Sequence, residues 1–350
     1  MKRIVSLLFV IAFVLPLLIF PSGAAESPYL SARSAVLING DSGEIVFEKN
    51  AHEKLPMAST TKIMTAYTVL NSCDIRETVT VHESAVGIEG SSAYLREGEK
   101  LTVEELLYAL LLQSANDAAA ALAVHMSESI ESFASLMNEN AEKMGLKSTS
   151  FSNPHGLDNE DHFTTARDLA KITAEAMKNN DFRKIVSTKT AKVGTGESVR
   201  IFVNHNRLLR EYPDCIGVKT GFTRRSGRCL VSCAERDGIC LICVTLNAPD
   251  DWNDHKKLLD FGFEAYETII LSGEGGTRVR IPAAGAKNGY ITAVTDGNVK
   301  VSLLKENGKL TVKAEYPPIL FPPYKKGNGV GKLRYYKNGK KVKEAELYIE

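Results

Sequence analysis

The chain has 350 residues, 44% hydrophobic and 24% charged, an ordinary globular composition with enough apolar mass for about two domains. Its formal net charge of +1, without any long like-charge block, excludes the electrostatic footprint of a nucleic-acid binder. The histidines show neither metal-ligand spacing nor an HExxH run, so no metal and no other cofactor is expected for the chemistry.

Residues 1–25 read as a secretory leader. Lys2 and Arg3 form the positive end, an apolar run follows over 4–20 with Pro16 inside it, and Ser22-Gly23-Ala24-Ala25 offers small residues for cleavage. No second apolar stretch is long enough to span a bilayer. An extracytoplasmic location is expected, secreted or associated with wall or membrane. A retained leader acting as an anchor is the alternative.

Residues 33–48 alternate around the turn Asp41-Ser42-Gly43 and predict a β-hairpin at an edge of the main sheet. Pro56-Met57-Ala58-Ser59-Thr60-Thr61-Lys62 then leads into an apolar-periodic run (Ile63, Met64, Ala66, Tyr67, Val69, Leu70), the start of a buried helix with Ser59 in its first turn. Ser59 and Lys62, three apart, share a helix face. A hydroxyl becomes a nucleophile when a base takes its proton, and a lysine is that base only when burial or neighbouring positive charge keeps it neutral. Taken alone the pair is a common coincidence, and a solvated helix start would be the better explanation.

Thr102-Val103-Glu104-Glu105 predicts a capping box opening a helix with Leu106, Leu107, Leu110 and Leu111 on one stripe. Ser114-Ala115-Asn116 falls in a short loop, with Asn116 or Asp117 expected to cap an alanine-rich helix from Ala118. Residues 145–164 form a loop containing Asn153-Pro154-His155-Gly156, where His155 reads as a turn and packing residue. A helix starting at Thr164 or Thr165 carries Asp168 in its first turn as a cap. Residues 216–221 read as a strand ending in Lys219-Thr220-Gly221, and Asp237-Gly238 between two apolar runs signals a hairpin. A last helix is expected over 252–266. Composition shifts near Thr268. The remainder, with Asp296-Gly297, Asn307-Gly308 and Asn338-Gly339, predicts three hairpins in a small all-β domain. The predicted organisation is a leader over 1–25, a main domain over 26–267 and the β-domain over 268–350.

The six cysteines are 73, 215, 229, 233, 240 and 243. Cys240 and Cys243 lie on one predicted strand with their sulfurs on opposite faces, which argues against a zinc or redox pair there. Buried thiols are the default for all six. One disulfide is compatible with an oxidising compartment, and no pairing follows from the sequence.

Ser59-x-x-Lys62, Ser114-Ala115-Asn116 and Lys219-Thr220-Gly221 occur in order at a helix start, an interhelix loop and a strand end. The combination resembles the signature of penicillin-binding proteins and class A β-lactamases. The chemistry fits: Ser59 attacks a carbonyl, Lys62 accepts its proton, and Ser114 relays a proton to the leaving amine. Asn116 positions Lys62 and meets the substrate amide, Lys219 and Thr220 meet a carboxylate, and the strand past Gly221 pairs with an extended substrate. Backbone N–H groups of Ser59 and Phe222 are the expected oxyanion donors. Longer matches run through 54–65, Asn153-Pro154-His155-Gly156-Leu157, Lys219-Thr220-Gly221-Phe222-Thr223, Arg236-Asp237-Gly238, and Lys326-Gly327 to Gly331-Lys332-Leu333. From about Ser34 to its C-terminus the chain resembles the serine-type D-alanyl-D-alanine carboxypeptidases, the low-molecular-mass penicillin-binding proteins.

The resemblance implies an α+β fold: an antiparallel sheet with helices on both sides, a helical subdomain, and a C-terminal β-sandwich. It implies a peptidoglycan stem peptide ending in D-Ala-D-Ala as substrate and β-lactams as covalent inhibitors. Three departures stand out. Phe222 occupies the position of a frequent His. The Arg that some members carry beyond the hairpin is not evident in Asp250-Asp251-Trp252-Asn253-Asp254, so carboxylate binding is expected from Lys219, Thr220 and Thr223, with Arg224 or Arg225 beside them. No C-terminal amphipathic helix is present to lie on a membrane. D,D-endopeptidase, transpeptidase or β-lactamase activity on the same fold, and a silent β-lactam- or wall-binding module, are the alternatives. A class A β-lactamase would need a water-activating Glu, and Glu160 does not stand in an E-x-x-x-N setting.

Overall fold

The structure, a computed structural model, describes residues 27–194, 199–305 and 308–350. The expected leader lies outside the described residues. The chain divides into two units, 26–264 and 265–350.

In the first unit, β1 (Ser34–Asn39) and β2 (Ile45–Lys49) form the expected hairpin. The short turn Ala58–Thr61 leads into α1 (Lys62–Leu70). So Ser59 sits in a 3-10 turn just before the helix rather than in its first turn. The small ladder of β3 (Thr78–Thr80) and β4 (Lys100–Thr102) precedes α2 (Val103–Leu112), whose capping box between Thr102 and Glu105 is formed in both directions. Then come α3 (Asn116–Ser127), α4 (Ile130–Lys143), α5 (Ala166–Ala176) and α6 (Asn180–Ser187). After these follow β5 (Thr190–Val193), β6 (Arg200–Val203) and the single turn α7 (Leu208–Glu211). The unit closes with β7 (Cys215–Thr223), β8 (Gly227–Arg236), β9 (Ile239–Leu246) and α8 (Asp251–Glu264).

The sheet is antiparallel in the order β2-β1-β9-β8-β7, with β7 on one edge. Its two faces follow from alternation along the strands. Val36, Ile38, Val231, Ile242 and Val244 face the large core shared with the helices. Their neighbours turn to α8, where Leu37 and Leu241 pack so close to Gly262 that a Cβ there would stand 2.5 Å from Leu37 Cδ2. Strands covered on both faces need no polar alternation, which is why β9 is apolar along most of its length and buried throughout. The same alternation separates Cys240 from Cys243. Cys240 lies in the helix-facing core with its Sγ 3.4 Å from Cys233 Sγ. Asp254 of α8 acts electrostatically on the Cys243 thiol. All six cysteines are thiols.

In the second unit, β10 (Tyr266–Ser272) pairs with β13 (Val299–Leu304). The other strands, β11 (Arg278–Pro282), β12 (Tyr290–Thr295), β14 (Leu310–Glu315), β15 (Gly329–Lys337) and β16 (Lys340–Ile349), form a sheet in the order β11-β12-β16-β15-β14. Ile281, Ala293, Val299, Leu333, Tyr335 and Leu347 form its core. The unit is all-β, as expected, but only one of its three hairpin signals makes a hairpin. Asn338 and Gly339, with φ of 51° and 81°, join β15 to β16 in a tight turn. Asp296-Gly297 instead connects strands of different sheets. Gly297 is set by close approach, since a Cβ would lie 2.3 Å from the Glu274 carbonyl oxygen. The strands on either side of Asn307-Gly308 do not pair with each other. The last helix of the first unit ends at Glu264, and Tyr266 already belongs to β10.

His255 of α8 is fully buried between two strands, with Nδ1 2.6 Å from Ser232 Oγ and Nε2 2.9 Å from Thr245 Oγ1. Burial pushes its pKa down to about 3, from an unfolded value of about 6.5. Above about pH 6.5 the imidazole is neutral in both states and the packing contributes fully. Below it the unfolded chain gains a proton that the folded one refuses, so stability falls as pH falls, by about 1.4 kcal/mol per unit until about pH 3. Urea unfolding at about pH 7 and about pH 5 should therefore show a steeper loss in the wild type than in His255→Gln, which cannot titrate. Equal losses would contradict this.

Candidate active site

Three elements converge on Ser59. The turn Ala58–Thr61 presents the hydroxyl, Lys62 opens α1, and Asn116 opens α3. The exposed edge of the sheet supplies β7. The turn is held from behind: Thr61 Oγ1 donates to the Ala58 carbonyl at 2.7 Å and meets His162 Nε2 at 2.7 Å. The Ser152 N–H donates to His162 Nδ1 at 3.0 Å, so the ring proton sits on Nε2 and is donated to Thr61. Burial lowers the His162 pKa to about 4, which keeps the ring neutral.

The approaches are close enough to require glycine at two places. A Cβ on Gly221 would stand 3.0 Å from the backbone nitrogens of both Ser59 and Thr60. Gly156, with φ of +92°, lies against the Ala58 carbonyl, which a Cβ would meet at 2.0 Å. The two glycines bring β7 and the loop 145–165 against the turn from different sides. Local strain is stored in the same place. Ala58 and Ser114 carry φ of 48° and 63°, a region costing such residues about 1–3 kcal/mol each.

Lys62 has no exposed surface. Its Nζ lies 3.0 Å from Ser59 Oγ, 2.7 Å from Asn116 Oδ1 and 2.5 Å from the His155 carbonyl oxygen. The Asn116 amide orientation is set by its Nδ2, which donates to the Glu89 carbonyl. Two partners of Nζ can thus only accept. A neutral amine has two N–H donors for them and one lone pair, which is left for the Ser59 hydroxyl. Burial drives the Lys62 pKa well below the ordinary lysine range, the Lys219 charge lowers it further, and Asp117 opposes the shift. The two observations agree: both favour a neutral amine with its lone pair toward Ser59 Oγ.

Lys219, 1% exposed, donates to Ser114 Oγ at 3.0 Å and to the Thr220 carbonyl at 2.9 Å, and burial lowers its pKa to about 7. Two sets of contacts result, Ser59–Lys62–Asn116 and Ser114–Lys219, and the Lys219 charge acts across them on Lys62. Thr220 and Gly221 continue along β7 and are partly accessible. Phe222 is 66% exposed, so its side chain is largely open to solvent. Thr223 is committed to the turn that follows, its N–H donating to Ser226 Oγ at 2.9 Å and its hydroxyl lying 2.9 Å from both Ser226 Oγ and Asp158 Oδ1. Asp158 would repel an incoming carboxylate, so Thr223 is poorly placed to bind one. Arg224 and Arg225 are exposed beyond it.

Sequence reasoning missed two contributors. His155 acts through its carbonyl oxygen on Lys62, while burial lowers its ring pKa to about 3. Asp117, expected as a helix cap, lies inside the helix. It accepts the N–H groups of Ala93 and Leu95 and the Ser92 hydroxyl, fixing the loop whose Ser91 carbonyl receives the Asn116 N–H. The N-cap of α3 is Ala115, without a side-chain cap. Asn153-Pro154-His155-Gly156 was visible as a motif, but a carbonyl direction is not written in a residue type.

Comparison with known proteins supplies the family. Residues 22–250 match the family model described as D-alanyl-D-alanine carboxypeptidase, and residues 266–350 match the penicillin-binding protein 5 C-terminal domain. The chain is 34% identical to the D-alanyl-D-alanine carboxypeptidase DacF of Bacillus subtilis, over 90% of this chain and 84% of that protein. It is likewise 34% identical to DacC of Escherichia coli, over 93% and 84%. Among solved structures, the Streptomyces K15 DD-transpeptidase superposes with a TM-score of 0.65 at 35% identity, covering 69% of this chain and all of that one. Penicillin-binding protein 5 of Haemophilus influenzae gives 0.68 at 29% identity, covering 93% and 98%. With the serine, the buried lysine and the edge strand already in place, these matches put the chain in the D-alanyl-D-alanine carboxypeptidase family of serine peptidases.

Proposed function

We propose that the protein removes the terminal D-alanine from peptidoglycan stem peptides through an acyl-enzyme on Ser59, outside the cytoplasmic membrane and after loss of residues 1–25. The observation that carries this reading is the 3.0 Å contact of Ser59 Oγ with an amine whose other two partners are carbonyl oxygens. Lys62 takes the Ser59 proton as Oγ bonds to the penultimate D-Ala carbonyl carbon. The backbone N–H groups of Ser59 and Phe222 receive the oxyanion, each such donor being worth about 10²–10³ in rate. The proton passes through Ser114 Oγ to the leaving amine as the C–N bond breaks. Water then cleaves the ester and restores Ser59.

The free edge of β7 pairs with the extended stem peptide, and Asn116 meets its amide. Lys219 and Thr220 receive the terminal carboxylate. The charge on Lys219 serves twice, attracting that carboxylate and keeping a second proton off Lys62. β-Lactams acylate the same oxygen, since their strained amide carries a carboxylate at a comparable position. Glu160 is exposed on its loop, which disfavours a β-lactamase that activates water through it. A transpeptidase differs only in the acceptor of the acyl group, an amine in place of water.

Ser59→Ala should abolish D-alanine release from an acyl-D-Ala-D-Ala peptide and lose the penicillin adduct seen by mass spectrometry. Release by that variant at the wild-type rate would refute the reading. Amine acceptors that convert the acyl-enzyme faster than water would make the protein a transpeptidase.

Lys62→Met removes the base and should slow acylation by about 10²–10⁴-fold. Gly221→Ala should slow it by about 10–100-fold, because its Cβ must displace the Ser59 backbone. Both variants should unfold as cooperatively as the wild type, and stopped-flow acylation by a chromogenic cephalosporin reads the rates.

A further inference from the structure

Among the described residues, Cys73, Glu77 and His125 bring a thiol, a carboxylate and an imidazole together, their ligand atoms all within 4.8 Å of one another. None of the three belongs to the cleft. Cys73 follows the C-terminal end of α1, with its N–H donating to the Val69 carbonyl at 2.9 Å. Glu77 precedes β3, and His125 stands in the last turn of α3. We propose that this trio binds a borderline-soft divalent cation of the zinc type. The ion would clamp the far ends of the two helices that begin at Lys62 and Asn116.

The donor set points to that class of ion. Thiolate and imidazole select zinc over magnesium or calcium, and a carboxylate is an ordinary third ligand. Distances agree. Zinc–nitrogen and zinc–oxygen bonds of about 2.0–2.2 Å give a tetrahedron edge of about 3.4 Å. His125 Nε2 and Glu77 Oε2 are 3.5 Å apart, long for a hydrogen bond and close to that edge.

The ligands are also oriented beforehand. Glu77 Oε1 accepts the Asp74 N–H at 3.0 Å, which leaves Oε2 facing His125. The Glu77 carbonyl accepts the Val103 N–H at 2.9 Å, tying this segment to the start of α2. Asp74 is turned away to Arg76, with contacts of 3.0 and 2.6 Å, so the neighbouring guanidinium is already neutralised. Such outer hydrogen bonds are what fix ligands around an ion. The negative end of the α3 dipole lies beside His125 and favours a cation.

A cysteine ligates a metal as its thiolate, whereas a free thiol carries a proton. Binding replaces that proton: the S–H bond breaks, the sulfur bonds to the ion, and one proton leaves to water. Thiolate and carboxylate then balance the two positive charges. Glu77 and His125 are open to solvent, from which water completes the coordination.

Titration of zinc into chelator-dialysed full-length protein tests this by calorimetry. One equivalent should bind and release protons, and the melting temperature should rise by about 5 °C at a hundredfold excess over the dissociation constant. Cobalt in place of zinc should give a thiolate charge-transfer band that Cys73→Ser lacks. His125→Ala and Glu77→Gln should each weaken zinc binding by at least about 10-fold, while penicillin labelling of Ser59 stays intact. Absence of binding up to millimolar zinc, or undiminished binding in a Cys73→Ser/His125→Ala double variant, would overturn the proposal.

Discussion

A lysine with no exposed surface is the constraint on which the rest of the first unit depends. Burying an ammonium ion unpaired is costly, and the protein avoids that cost by neutralising it. The surroundings are built for the neutral amine. Two carbonyl oxygens consume its N–H groups, and a second buried lysine makes the extra proton unwelcome. What remains is one lone pair, directed at one hydroxyl.

Holding that arrangement requires backbone of three origins within van der Waals contact. The turn before α1, the loop carrying Gly156, and the edge strand β7 close on Ser59 through glycines that leave no room for a Cβ. Positive φ at Ala58 and Ser114 shows where the chain departs from comfortable geometry. The capped helices, the doubly covered sheet and the neutral histidines behind the turn hold those conformations in place. Packed elements thus carry Ser59, Lys62 and Asn116, and β7 is left on the edge of the sheet.

Much of this was legible beforehand because it follows local rules. Thr102 with Glu105, Asp237-Gly238 and the run into α1 are short-range signals, and each produced its element. The misses share a different cause. α4 and α6 follow the caps Ser129 and Asn179 and bury Phe133, Met137, Phe182 and Ile185, but few of their other residues are apolar, so neither drew attention as a core helix. Asp296-Gly297 has hairpin spelling, yet its glycine is demanded by Glu274 from a distant part of the chain. The cysteine, glutamate and histidine at 73, 77 and 125 have no ligand spacing in one dimension. They meet because two helix ends meet.

Residue order alone was enough to bring Ser59 and Lys62 together and to set a strand beside them, since a serine and a lysine three apart at a helix start are neighbours whatever surrounds them. It could not supply the state of that lysine. Whether the amine carries a proton depends on burial, on a second cation more than a hundred residues away in the chain, and on the direction of the His155 carbonyl. Those are properties of packed space, and solvation and carbonyl orientation exist only once the chain has closed around them.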